Sequence, residues 1–366
     1  MRNLQLLYRG EAPIDFPFHW RRALVVSAVM LAIGFGSFFV RGLNLGLDFE
    51  GGTSYEVRSP ETSVADARKV VSQLGSTDAR IQLVDKEVLR IRFDTEDPFR
   101  ASEIREFLST ELGVVETFEQ VGPTWGSSVT QKAIRALIVF FAVIAMYLTL
   151  RLEWKMALGA LIAVAHDIVV SVGFYSLLQL EVTPATVIAF LTIMGYSLYD
   201  TIVVYDKVRQ VTGRLGATER FSYTELMNLS LNRVTMRSIN TSISSALPVV
   251  SLLIIGWLVL GANALQEFGV ALLVGVIIGS YSSLFIASAI VAALKERELR
   301  WSEIASKLKK RGLIGDSTRT IGRQDAVVSD ARLSGRTERS LSSERQRSKS
   351  LTSTGKSPPR PRKKRR

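Results

Sequence analysis

The stretch FLTIMGYSLYDTIVVYDK, residues 190–207, decides the fold class. Leu191, Ile193, Met194, Leu198, Ile202, Val203 and Val204 make it apolar enough to cross a membrane. Asp200 nevertheless sits inside the run, ahead of Asp206 and Lys207, which mark the polar exit. A carboxylate at the centre of a span costs roughly 2.5–3.5 kcal/mol on insertion scales. It therefore needs a partner, a water-filled cavity or a proton. Counted from Pro184 at the helical rise, Asp200 lies about 24 Å along its helix, in the inner third of a bilayer.

Outward from this stretch, five further apolar runs reach span length: 23–40, 133–150, 156–178, 239–260 and 268–294, with the central run extending over 184–204. Pro184 suits the first turn of its helix, where a missing N–H costs nothing. The run 23–40 follows a short basic segment, 1–22, with Arg2, Arg9, Arg21 and Arg22. It is longer than a signal-peptide core, and 41–46 has no small-x-small cleavage pattern, so it reads as a retained anchor.

The loops predict the topology. Arg151 and Lys155 crowd one loop, and Lys207, Arg209, Arg214, Arg220 and Arg233 another. Lys295, Arg297 and Arg300 follow the last span, whereas 179–183 and 261–267 hold no Lys or Arg. The positive-inside rule places both termini in the cytoplasm. Six spans independently require the termini to share a side.

Residues 41–128 are polar and more acidic than basic, and they fall outside the membrane. Residues 53–58 alternate as a strand, and 63–74 carry Val64, Ala67, Val71 and Leu74 at helical spacing. Segments 80–84 and 88–93 read as a hairpin about Asp85-Lys86-Glu87. A second helix over 101–112 points Ile104, Phe107, Leu108 and Leu112 inward, and 114–121 is a last strand. The order βαββαβ is the ferredoxin-like split unit. The expected fold is thus a polytopic α-helical membrane protein of six transmembrane helices, with a small extracytoplasmic α+β domain between the first and second.

Composition narrows the chemistry. The 366 residues are 47% hydrophobic and contain no cysteine, which excludes disulfides and cysteine-ligated metal. Two histidines, His19 and His166, argue against a multi-histidine metal site, and no cofactor motif is present. Gly51 and Gly52 precede no helix, so a tight turn is read there in place of a phosphate loop. No nucleophile motif supports a hydrolase, and no enzyme activity is expected. The net charge of +12 is concentrated toward the C-terminus. In the tail 295–366, the Ser/Thr/Arg/Lys-rich part from about 316 cannot bury a core and reads as disordered. It can associate with anionic lipid heads or with an acidic partner such as ribosomal RNA.

Asp200 is the leading candidate for proton coupling, with Tyr196 one turn earlier in reach of a hydrogen bond. Arg237 enters the next span at a compatible depth and is the natural ion-pair partner; the alternative is an ordinary positive-inside arginine. Ser238, Asn240, Thr241, Ser242, Ser244 and Ser245 make that entrance polar, a pattern that serves helix packing. His166 and Asp167 lie mid-span, about 15 Å from either end. They read as a proton relay or as a polar pair satisfied by neighbouring helices. Asp206 and Lys207 read as an interfacial exit.

Four blocks carry a family resemblance: GLDFEGGT at 46–53, AHDIVVSVGFYSL at 165–177, GYSLYDTIVVYDKVR at 195–209 and LNRVTMRSINTSISSALPV at 231–249. The last span, 267–288, fits as well. Together they resemble the SecF side of the SecD/SecF family of the bacterial Sec translocation system, over roughly 6–300. The long Ser/Arg tail departs from the family pattern. The resemblance implies a place in the inner membrane, a partner SecD, and a scaffold shared with proton-driven RND exporters. It implies work beside the SecYEG channel, with YajC or YidC, on a translocating preprotein, driven by the proton-motive force. It puts the family's intramembrane acid on Asp200, its basic companion on Arg237, and a domain-junction motif on Asp48, Gly51 and Gly52. Two other classes stay open: a half-size RND-like exporter of small molecules or lipids, and a non-transporting assembly scaffold.

Overall fold

Thr183 starts the central helix. Its side chain and that of Thr186 form a reciprocal capping box, and Pro184 occupies the first turn. The computed structural model describes residues 14–60, 62–74, 79–85, 87–95, 97–259 and 263–312. Among these, six helices are long and apolar enough to cross a membrane, as expected of a polytopic membrane protein.

In chain order the elements are α1 (Phe16–Arg41), β1 (Asn44–Leu45), α2 (Leu47–Glu50), β2 (Gly52–Arg58), α3 (Val64–Ser72), β3 (Arg80–Asp85), β4 (Val88–Phe93), α4 (Pro98–Glu111) and β5 (Val114–Val121). Then come α5 (Pro123–Arg151), α6 (Trp154–Leu178), β6 (Glu181–Val182), α7 (Pro184–Leu215) and α8 (Tyr223–Leu252). A π-helical stretch, Leu253–Val259, continues α8. Next is α9 (Asn263–Tyr281), which runs through a second π-helical stretch, Ser282–Ala287, into α10 (Ser288–Glu296). Last comes α11 (Leu299–Lys310), whose final turn carries Lys307, Lys309 and Lys310, favourable at the negative end of a helix dipole. The first compact unit ends at Ser302, and a second begins at Glu303. The basic tail from 313, with the disorder expected from about 316, lies outside the described residues, as do residues 1–13 of the N-terminal segment.

Several helices outrun the apolar segments that signalled them. Helix α1 starts at Phe16, not at 23, because Asp15 caps it by accepting from the Phe18 N–H at 3.3 Å. Phe16 is buried, and its N–H is held by Asn228 Oδ1 at 3.1 Å. Helix α7 does not stop at 204. Val204, Val208, Val211 and Leu215 continue a buried stripe at helical spacing to its end. Asp206 is therefore a mid-helix surface residue that accepts from Gln210 at 2.8 Å, so the expected exit ends the apolar run but not the helix. Helix α8 begins at Tyr223, not at 239, on a capping box formed by Ser222 and Glu225. Hydropathy reports contact with lipid, whereas caps and buried stripes set where a helix starts and stops.

The polar insert shows the element order expected from the sequence. Its four strands lie in the order β3-β4-β2-β5, every neighbouring pair antiparallel. One face buries Tyr55, Val57, Leu89, Ile91 and Phe93 against Ala67 and Val71 of α3 and Ile104 and Leu108 of α4. Strand alternation puts Glu56, Arg90 and Arg92 on the other face, with Glu56 opposite Arg90 in register. Lys86 of the expected hairpin turn lies outside the described residues.

In the helical part, α7 packs against α6, α8 and α9, and α1 packs against α6. Helix α5 stays mostly exposed.

Candidate functional site

Two polar loci meet on α7. Its buried stripe includes Ser197, Asp200, Thr201 and Val204, so Ser197 and Asp200 share a face. Asp200 is buried, and its Oδ2 accepts from Ser238 Oγ of α8 at 2.6 Å. No ion pair within 4 Å joins Asp200 to Arg237 among the described residues, and Arg237 acts on the carboxyl only through its charge at longer range. Ser238 is buried facing α7, and its neighbour Arg237 is turned about 100° around the helix to an exposed position. There Arg237 reaches Tyr199 at 3.5 Å. Tyr196 does not bond Asp200 either; its hydroxyl accepts from Ser245. Thr241 donates to the Arg237 carbonyl at 2.7 Å, and Asn240 is exposed.

The second locus lies on α6. His166 Nδ1 and Asp167 Oδ1 are 3.1 Å apart, both residues buried. Asp167 Oδ2 accepts from Ser197 of α7 and from Ser282 at the end of α9, each at 2.8 Å. His166 Nε2 is buried without a partner among the described residues. Both readings of this pair therefore have a basis: Asp167 is satisfied by neighbouring helices, and the imidazole keeps one nitrogen unused.

Ser197 joins the two loci. It donates to Asp167 and also lines two small cavities of about 10 Å³ each, one beside Asp167 and the other beside Asp200, Tyr196 and Thr241. Each offers roughly the space of one water molecule. Helix α9 comes close because Gly279 has no side chain; a Cβ there would lie 2.8 Å from the Ser197 Cβ. Ser197 and Ser282 do not stand out among many serines, and Ser238 reads in the sequence only as part of a polar helix entrance. The signal for Ser197 is its spacing of three from Asp200 on one helical stripe.

A third locus ties the polar insert to the helices. Gly51 and Gly52 adopt φ of +80° and +105°, and a Cβ on Gly52 would approach the Phe93 carbonyl oxygen to 2.5 Å. The turn read at this pair is thus present, at the end of α2. Strand β1 pairs in parallel with β6, and the Gly46 N–H donates to the Val182 carbonyl at 2.8 Å. Arg90 contacts Glu56 at 2.9 Å, Glu181 at 3.0 Å and Glu267 at 3.7 Å. Arg92 bonds Glu181 and donates to the Leu45 carbonyl at 3.3 Å. Burial works against the charge of Arg90, but Glu181, Glu56 and Glu267 outweigh it and hold its pKa above the ordinary value. Burial raises the Asp48 carboxyl, Glu181 raises it further, and Arg92 partly opposes both.

This geometry sits within matched sequence. Residues 107–297 match the family "Protein export membrane protein SecD/SecF, C-terminal", and residues 36–59 match "SecD/SecF GG Motif". "Protein translocase subunit SecF" of Streptomyces coelicolor is 39% identical over 311 residues, covering 84% of this chain and 82% of the relative. The chain belongs to the SecF family. "Protein translocase subunit SecDF" of Thermus thermophilus is 34% identical over 297 residues, 78% of this chain and 39% of that longer protein. The crystal structure of SecDF from Thermus, titled a translocon-associated membrane protein, superposes with a TM-score of 0.71 at 33% identity, over 78% of this chain and 39% of that one. The two SecD/SecF matches span Gly51 and Gly52 at the junction, and Asp167, Asp200 and Arg237 within the helices.

Proposed function

We propose that this chain serves protein export as the SecF half of a SecD–SecF pair, turning proton movement into motion of its polar insert. The observation that carries this reading is Asp200: a buried carboxylate inside a membrane-crossing helix, held by one serine hydroxyl and, among the described residues, by no cation in direct contact. An ionised carboxylate in that setting is costly, and a bound proton removes the cost. Hydroxyls both donate and accept. Ser238, Ser197 and Ser282 can therefore reverse their bonds as Asp200 or Asp167 gains a proton, without large movement. In the ionised state, a turn of α8 would exchange Ser238 for Arg237 at Asp200. One proton crossing 100 mV supplies about 2.3 kcal/mol, enough to bias two such packings.

The same helix carries the output. Asp200 lies about 24 Å along α7 from Pro184. Just before that proline comes Glu181, which Arg90 and Arg92 clasp from the insert. We read the insert as a ferredoxin-like unit outside the inner membrane, with both termini cytoplasmic, on the strength of the loop charges. Asp48, Gly51 and Gly52 form the hinge between α1 and that unit.

SecD is the partner of choice, because the Thermus relative named SecDF is a single longer protein of which this chain matches 39%. The SecYEG channel, YajC or YidC, and the moving preprotein follow from the same family reading. Asp200→Asn tests it in membranes carrying the full complex. Export driven by membrane potential falls while SecD still co-purifies. Undiminished export at full potential overturns the proton role, and joint loss of assembly and export favours the scaffold.

A further inference from the structure

A polar cavity of about 380 Å³ lies far from the buried carboxylates, among the ends of α7, α8 and α10. Glu153, Arg209, Tyr223, Lys295, Glu298 and Arg300 are among its lining residues. Its charges do not cancel. Lys295 bonds Glu153 at 2.5 Å and Glu298 at 3.0 Å, and Lys155 bonds Glu298 at 3.1 Å. These four charges neutralise one another, and Glu298 is held below the ordinary carboxylate pKa: burial alone would raise it, but the two lysines more than reverse that. Arg209 and Arg300 remain. Neither pairs with a carboxylate among the described residues. Arg209 reaches the Arg151 carbonyl at 3.5 Å, and Arg300 the Gly216 carbonyl at 3.2 Å while lying over Trp301.

The wall also holds two unused hydroxyls. Tyr223 is 1% exposed and its hydroxyl has no hydrogen-bond partner among the described residues; buried Thr212 Oγ1 has none either. Both residues line the cavity. A buried hydroxyl without a partner is costly, and a small shift of either side chain toward an oxygen bound in the cavity recovers the missing bond. Two unpaired guanidinium groups and two unused hydroxyls make a donor set for an anion with several oxygens. Guanidinium matches phosphate through paired N–H bonds. The cavity lies on the side of the basic loops, and Trp154 beside it is 66% exposed with Lys155 over its ring, as at a membrane–water interface.

We infer that this cavity binds a phosphate-bearing anion through Arg209, Arg300, Tyr223 and Thr212. Two sources share the chemistry, the headgroup of an anionic phospholipid and a soluble organic phosphate. The test is native mass spectrometry of the full chain in detergent, titrated with phosphatidic acid, phosphatidylglycerol, phosphatidylcholine or ATP. Retention of the acidic lipids above phosphatidylcholine identifies a lipid source, and retention of ATP a soluble one. For the ligand retained, Arg209→Gln/Arg300→Gln weakens binding at least tenfold and Tyr223→Phe about threefold. Arg214→Gln/Arg220→Gln, an equal loss of two charges at exposed residues outside the cavity lining, changes it less than twofold. If the double variant does not fold, the single Arg209→Lys and Arg300→Lys variants decide, each expected to weaken binding severalfold. Binding that is absent for every probe, or that falls equally in Arg214→Gln/Arg220→Gln, or that survives the cavity substitutions, overturns the inference.

Discussion

Ser238 donates to Asp200 across 2.6 Å, and this contact takes the place that charge pairing would assign to Arg237. Under the proposed function Asp200 carries its proton while Ser238 holds it, so this hydrogen bond joins uncharged groups and is worth about 1 kcal/mol. Double-mutant cycles on the purified chain therefore separate the two neighbours. Asp200→Ala with Ser238→Ala shows a coupling of about 1 kcal/mol in denaturant unfolding. Asp200→Ala with Arg237→Ala shows a coupling indistinguishable from zero. The reverse order would mean that the arginine pairs with Asp200 in the resting state.

Arg90 predicts how firmly the insert is tied to the helices. Its side chain is 14% exposed and touches three carboxylates carried by β2, the α6–α7 connection and the start of α9. Removing Arg90 leaves Glu56, Glu181 and Glu267 facing Arg92, an excess of buried negative charge that costs about 3 kcal/mol. Arg90→Gln is expected to lower stability by that order. It also speeds hydrogen exchange of the amides in 179–183 while leaving the β2–β4 ladder protected. Unchanged exchange in 179–183 would show that the β1–β6 pair alone holds the junction.

Asp48 gives a pH dependence with a definite sign. Its native pKa lies above the ordinary 3.8, so the folded state binds more protons than the unfolded state between those two values. Stability contributed by this group is complete below 3.8 and declines as pH rises toward the native pKa. Asp48→Asn removes that decline. The variant gains apparent Tm over the parent as pH rises through this window, and the gain vanishes in acid. A constant difference across pH would place the effect in packing, not in ionisation.

The spans were legible because lipid contact demands apolar side chains, and the insert because alternation and helical spacing mark its strands and helices. Helix ends were less so. The Ser222–Glu225 box starts α8 sixteen residues before its apolar run. Asp200 declared itself by cost alone, but depth along a helix names a turn and not a face. Charge favours Arg237 at that depth, whereas the rotation of α8 turns Ser238 toward Asp200. The junction was hidden for a different reason. Arg90 and Arg92 have the alternation of a strand with one solvent-facing side, and Glu181 sits in a short loop. Only the packing of insert against helices makes that face an interior one.

Ser197 decides whether the two carboxylates act together. It donates to Asp167, sits three residues before Asp200, and borders both water-sized cavities. Ser197→Ala removes one of the two serine donors to Asp167 Oδ2 and leaves Ser282 in place, so the fold persists with a loss near 1 kcal/mol. Under the proposed function, proton conduction by the chain with SecD falls severalfold, because the hydroxyl that borders both sites is gone. Asp167→Asn then adds little in the Ser197→Ala background, since both changes interrupt one route. Independent, multiplicative losses would show two separate polar loci, with Asp167 acting as a helix-packing residue and Asp200 titrating by itself.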